Sequence, residues 1–242
     1  MLALAKFEGF RAFASLLYPP LCTICSAGVS PDEYLCDECD NNVLRIVPPF
    51  CAKCSEPFAG QISGPFSCAN CAHRRLHFEA AVAAYRSRGL VRRIILDFKY
   101  GRKIYLRHLI ARWLQGALAD ERLIGRQFDV VIPVPLHPAR ERERGFNQAA
   151  LIAEPLSAHM SVPSRSLLER IRYTTTQTAF DRSERMENLR DAFRLRKNAD
   201  VRGLRVLLVD DVLTTGSTLS ECARILKHAG AHTVSAATAA RA

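Results

Sequence analysis

Two hydrophobic periods alternate along this chain, and the places where one gives way to the other mark its elements. Phe7, Phe10, Phe13, Ala14 and Leu17 recur at helical spacing, predicting a short amphipathic helix over residues 1–18 that stops before Pro19-Pro20. Residues 19–75 are poor in apolar side chains. Beyond them FEAAVAAY (78–85), DVVIPVP (129–135), RVLLV (205–209) and HTVSAATAA (232–240) read as strands. GLVRRIILDFKY (89–100), Ile104 to Leu118, FNQAALIAEPLSAHM (146–160) and STLSECARILKHAG (217–230) carry the helical period, and Pro155 is expected to kink the third or end it early. This alternation predicts an α/β domain over residues 76–242, a parallel sheet with helices on both faces.

Composition adds a compartment and a partner class. Hydrophobic residues at 48% and charged residues at 24% are globular proportions. Residues 1–80 carry six Lys/Arg against eight Asp/Glu (−2), and the remainder carries 28 against 16 (+12). The basic excess belongs to the α/β part and suits an anionic ligand, either a phosphorylated small molecule or a nucleic acid. Lys6, Glu8 and Arg11 interrupt the N-terminal apolar stretch, which argues against a targeting segment, and a polar face that is not strongly basic favours docking on the protein itself over docking on a membrane. No run of 18 apolar residues occurs, so no membrane span is expected.

Eight of the nine cysteines fall in the first 71 residues as four CxxC pairs, Cys22/Cys25, Cys36/Cys39, Cys51/Cys54 and Cys68/Cys71. A two-residue gap turns both thiolates toward one ion, and two such knuckles complete a tetrahedral four-sulfur site. Ten residues separate the first two pairs and thirteen the last two, as in zinc ribbons. Residues 19–75 are therefore read as a double zinc ribbon with neighbouring pairs sharing a metal; a cross-braced pairing has compatible spacing. A secreted disulfide scaffold or a single redox CxxC fits four serial pairs less well. Four thiolates leave no open coordination position, so both zinc sites are expected to be structural. Thiolates held for zinc favour a reducing compartment, the cytoplasm. His73 is read as a surface histidine, and Cys222, alone in a helical stretch, as a buried small residue.

The most informative stretch is VLLVDDVLTTGSTL, residues 206–219. An apolar strand delivers Asp210 and Asp211 to its C-terminal end, where open α/β sheets bind ligands, and two adjacent carboxylates suit the hydroxyls of a ribose. Thr214, Thr215, Gly216, Ser217 and Thr218 then offer backbone N–H groups and hydroxyls to a phosphate at a helix N-terminus. The lysine of an NTP-hydrolysing loop is missing from this run.

This stretch resembles the phosphoribosyl pyrophosphate (PRPP) signature of type I phosphoribosyltransferases. FKYG (98–101), PVPLHPARERERGFNQA (133–149) and ERIRYTTTQTAFDRSERMENLRDAF (169–193), with the double ribbon ahead of them, resemble the ComF family, which is associated with DNA uptake in natural competence. The resemblance spans nearly the whole chain and implies a type I phosphoribosyltransferase fold after the ribbon. It implies that Asp210 and Asp211 hold the ribose hydroxyls and that Thr214 to Thr218 hold the 5′-phosphate. Lys99, Tyr100 and Gly101 would form the pyrophosphate loop, and magnesium would accompany PRPP, held mostly by substrate oxygens. Taken alone, Lys99 is a helix-end lysine complementing the dipole. Arg140, Arg142, Arg144, Arg170 and Arg172 are expected on loops as further cations, although the glutamates of RERERG make a solvated helical or loop face a fair reading of the first two. Asn147, Gln148, Thr174 and Gln177 are candidates for contacting an acceptor.

The functional expectation is phosphoribosyl transfer from PRPP to an acceptor with release of pyrophosphate, linked to DNA uptake. The rival is a non-catalytic, PRPP-responsive factor that handles single-stranded DNA or adapts to a DNA-translocating partner protein. The +12 charge favours the rival, whereas the acidic ribbon weakens it.

Overall fold

The computed structural model describes residues 18–62, 64–173 and 189–242. The expected N-terminal helix lies outside these residues, apart from Tyr18. The chain divides into two compact units, one ending at Val43 and the other running from Leu44 to Ala242. The boundary thus falls between the two cysteine clusters, so the second cluster shares a unit with the α/β sheet.

Each cluster begins with the same knuckle. In the first, Cys22 N–H donates to Ala27 O at 2.7 Å and Ser26 N–H to Cys22 O at 2.9 Å. In the second, Cys51 N–H donates to Glu56 O at 2.8 Å and Ser55 N–H to Cys51 O at 3.0 Å. Ser26 and Ser55 both take positive φ, 63° and 58°, where the chain turns back after each CxxC pair. Cys36 and Cys68 then stand as N-caps of two short helices, α1 (Asp37–Asn41) and α2 (Ala69–Ala72), which present Cys39 and Cys71.

Four parallel strands form the sheet of the second unit, in the order β1 (Ala81–Arg86), β6 (Thr233–Arg241), β5 (Arg205–Leu213), β2 (Val130–Pro133). A short antiparallel pair, β3 (Leu168–Arg170) with β4 (Phe193–Leu195), stands apart from it. Among the described residues this unit also holds the helices α3 (Gly89–Tyr100), α4 (Arg107–Leu118) after one 3₁₀ turn at Ile104–Leu106, α5 (Pro138–Arg144), α6 (Gln148–Met160) and α7 (Ser217–His228). α6 continues to Met160 with Pro155 inside it, so the expected early end does not occur. Buried Ile152, Ala153 and Leu156 anchor the turns on both sides of the proline, and packing of that face outweighs one missing backbone bond.

Side chains alternate across the strands, giving the sheet two apolar faces. α4 and α6 pack on each other and on one face. On the other, Ala81, Ala236, Leu208 and Ile132 form a row in register. That row belongs to one hydrophobic cluster with Leu219, Cys222 and Leu226 of α7 and with Cys51, Cys54, Cys68 and Cys71. A parallel sheet needs both faces covered. Here the second cysteine cluster does part of the work a helix would do. Among the described residues no helix is long and apolar enough to cross a membrane.

Candidate functional site

The strand β5 extends past its apolar run and carries both acids at its C-terminal end. Alternation sends Asp210 toward the α7 face and Asp211 toward the opposite one, with Asp211 N–H donating to Asp210 Oδ1 at 2.9 Å. Lys99, in the last turn of α3, places Nζ 2.9 Å from Asp211 Oδ2. Both side chains are largely buried, which strengthens the ion pair relative to a surface one. Burial foremost, and then the Asp211 charge, push the Asp210 carboxyl up to about 7, against the pull of Lys99 and Arg170. Burial likewise pushes the Cys222 thiol up, as suits a small core residue.

Directly after β5 the chain turns through Thr214, Thr215 and Gly216. Gly216 is the N-cap of α7 with φ 75°, a conformation that glycine adopts without strain. Thr215 Oγ1 and Ser217 Oγ lie 2.9 Å apart. The second ribbon reaches this loop: Asn70 of α2 donates to Thr215 O at 3.1 Å, and Arg74 donates to Thr215 O at 3.1 Å and to Ser217 Oγ at 2.9 Å.

α3 ends in a tight turn. Gly101 N–H donates to Asp97 O at 2.8 Å, and a Cβ on Gly101 would sit only 2.7 Å from that oxygen. Lys103 pairs with the Asp97 carboxylate at 2.8 Å, and Arg102 takes φ 54°. The turn opens on a cavity of about 340 Å³ lined by Lys99, Arg102, Arg140 and Arg144, with Tyr100, Tyr173 and Glu143. The Arg144 guanidinium lies 5.0 Å from the Tyr100 ring centre and that of Arg140 lies 5.6 Å from Tyr173. Cations on aromatic faces are held in place without losing their charge.

The cysteines form two tetrads of neighbouring pairs, Cys22, Cys25, Cys36, Cys39 and Cys51, Cys54, Cys68, Cys71, with all sulfurs of a tetrad within 4.8 Å of one another. Cys25 and Cys36 Sγ are 3.5 Å apart, and Cys54 and Cys68 Sγ 3.6 Å. Four sulfurs at about 2.3 Å from a central zinc would stand about 3.8 Å apart, so both donor sets fit that ion. Burial opposes the Cys22 thiolate, yet backbone N–H groups of Cys25, Cys36 and Ile24 outweigh it and lower this thiol to about 6. Hydrogen bonds with the Cys54 and Cys71 side chains hold Cys51 well below the usual thiol range.

Residues 105–242 match the phosphoribosyl transferase domain family, and residues 13–73 match the double zinc ribbon domain. Competence protein F of Haemophilus influenzae is 30% identical over 201 residues, 81% of this chain and 85% of its own. DNA utilization protein YhgH of Salmonella typhimurium is 33% identical over 223 residues, 90% of this chain and 96% of its own. The chain belongs to the ComF family. Competence protein ComFC of Bacillus subtilis, 27% identical over 208 residues, covers 84% of this ComF-family chain with 81% of its own.

On this ComF-family framework, a type I phosphoribosyltransferase fold behind a double ribbon, the sequence-derived residues sort by position. Asp210, Asp211 and Lys99 come together, with Thr214 to Thr218 directly following the acids. Tyr100 is exposed beside Gly101 at the cavity. Arg140, Arg142 and Arg144 lie on a helix rather than a loop, which for the first two agrees with the competing reading of a solvated helical face. His137 accepts from Ala139 N–H at 3.2 Å, Pro138 starts the turn and Gly145 ends it at φ 87°, so the segment forms α5. Arg144 bonds Gln148 Oε1. Asn147 is spent structurally, accepting from Ala149 N–H at 3.0 Å and donating to Val134 O at 3.1 Å as the N-cap of α6. Arg170 ends β3 over the Phe193 ring at 5.2 Å, and Arg172 donates to Arg190 O at 3.0 Å. Thr174 and Gln177 lie outside the described residues. Sequence reasoning passed over Asn70, Arg74 and Arg102. Arg102 directly follows FKYG and was within reach of that motif, but nothing local marks Asn70 or Arg74 as neighbours of residue 215.

Proposed function

We propose that this protein binds PRPP with magnesium across the C-terminal end of β5 and transfers its phosphoribosyl group to an acceptor. Asp210 and Asp211 accept from the ribose hydroxyls, and Thr214 to Thr218 receive the 5′-phosphate. The cavity of Lys99, Arg102, Arg140 and Arg144 takes the pyrophosphate. The observation that carries this reading is the Lys99–Asp211 pair, because it ties a cation of the proposed leaving-group pocket to an acid of the proposed ribose site. Pyrophosphate leaves C1 with the bonding electrons, and an acceptor nitrogen supplies the pair for the new bond and sheds a proton. Four cations around the departing oxygens stabilise that step electrostatically. The carboxylates at the strand end suit a magnesium ion carried in on substrate oxygens, which would neutralise part of the pyrophosphate charge. The two tetrads would hold zinc as structural ions. The names of the relatives, competence and DNA utilization, support a role in handling incoming DNA.

A second reading rests on the two arginine–tyrosine stacks at the cavity. Interleaved cations and aromatic faces also suit single-stranded DNA, with PRPP as a regulator rather than a donor. Calorimetric titration with PRPP and magnesium, on the zinc-loaded chain and on the Asp210→Asn/Asp211→Asn double variant, tests the site. Binding that the variant loses supports it; a folded, loaded wild type that binds nothing removes both readings. Release of pyrophosphate in the presence of acceptor bases then separates transfer from mere binding.

A further inference from the structure

The second cysteine cluster is fastened to the sheet unit at both of its knuckles. At the first knuckle Arg122 donates to Cys51 O at 3.0 Å, to Ala52 O at 3.2 Å and to Ser55 Oγ at 2.8 Å. The fully buried Ser55 hydroxyl donates to Ala81 O of β1 at 3.1 Å. The second knuckle bears on the turn after β5. Asn70 lies between Cys68 and Cys71, and its Oδ1 accepts from Arg74 at 2.7 Å while both side chains donate to Thr215 O. Three residues further on, His77 N–H donates to Ser220 Oγ at 3.2 Å, in the first turn of α7.

These bonds have a directional consequence. A trans peptide points its C=O and N–H to opposite sides. Tying the Thr215 carbonyl to the ribbon therefore turns the Gly216 N–H away from the ribbon. A guanidinium can only donate. Ser217 Oγ is thus the acceptor from Arg74, and its own hydrogen is left for Thr215 Oγ1 or a phosphate oxygen.

We propose that the second cysteine cluster braces the phosphate loop, with Asn70 and Arg74 as positioning residues that pass the order of the metal knuckle to Thr215, Gly216 and Ser217. That the loop takes the 5′-phosphate of PRPP rests on the function proposed above; that the cluster holds the loop does not. The coupling is reciprocal, so a loop filled by its ligand also secures the knuckle.

The test compares the zinc-loaded full chain with its Asn70→Ala/Arg74→Ala variant by metal content, melting temperature, amide hydrogen exchange over residues 213–220 and PRPP–magnesium affinity. The variant is expected to keep both metal equivalents while exchange in the loop quickens and affinity falls, each by about tenfold or more for the loss of charge-assisted bonds. Arg74→Lys keeps the charge but cannot bridge two acceptors in one plane, so it should restore little. Unchanged exchange with metal retained overturns the brace. So does an affinity loss that Arg74→Lys repairs while exchange stays put, since that marks plain charge attraction. Should the double variant lose its metal, the two single variants carry the same comparison. If the wild type binds no PRPP, the proposed function falls and the exchange data still decide this inference.

Discussion

Asp210 is the site carboxyl that burial displaces from its usual range. Its folded pKa, pushed up to about 7 by burial and by Asp211, lies above the value of about 3.9 expected in the unfolded chain. The folded state therefore holds that proton more tightly. The resulting stabilisation is complete below the unfolded pKa and is lost as pH rises through the folded one. Asp210→Asn removes the titration, and denaturant unfolding should show the variant more stable than wild type at pH 8, on the order of 2–4 kcal/mol, with the advantage gone near pH 4. Calorimetry on the same variant should show PRPP binding lost, so stability and affinity would move in opposite directions. Gly101 makes a second prediction. Gly101→Ala drives a methyl against Asp97 O and displaces the turn carrying Lys99 and Arg102; a drop of roughly tenfold in PRPP affinity with metal content unchanged is the expected outcome.

At the scale of elements, α5 and the ribbon knuckles show how local rules meet tertiary demands. His137, Pro138 and Gly145 make a helix of a segment expected as a loop, because the cap, the first-turn proline and the left-handed terminus all agree. That helix turns Arg140 and Arg144 toward the cavity. Arg122 serves a different end. Its side chain is paired with Asp120 at 2.6 Å and spans the ribbon backbone, Ser55 and the Phe50 ring, 4.6 Å away. Arg122→Ala should cost roughly 2–4 kcal/mol, because it takes the guanidinium away from the Asp120 charge and from its bonds to Cys51 O, Ala52 O and Ser55 Oγ. The check is a chemical denaturation curve with a lowered midpoint and an unchanged slope.

At the scale of the whole molecule, the two cysteine clusters repeat one knuckle geometry but are placed differently. Cys51, Cys54, Cys68 and Cys71 are all buried within the core of the sheet's second face, while Cys25 of the first tetrad is exposed. Trp113, the single tryptophan, is buried in α4 and reports on the sheet unit alone. Cys51→Ser should therefore lower the melting transition followed by Trp113 fluorescence, whereas Cys25→Ser should release one metal equivalent and leave that transition nearly in place. An equal effect of the two would show that the second cluster is no part of this core. From sequence alone, four CxxC pairs in series marked the eight candidate ligands, because ligand spacing is a local property, while the fold decided that neighbouring pairs converge. Hydrophobic period likewise determined the succession of the four sheet strands and the four long helices, and the run of two acids before a Thr/Gly-rich turn located the candidate phosphate loop. Tertiary structure alone decided that Lys99 meets Asp211, and that Asn70 and Arg74 meet Thr215 across about 140 residues. It also decided that the second tetrad covers a sheet face and that α6 runs through Pro155. Each of these depends on which surfaces come together when the sheet buries both faces, and no local pattern carries that information.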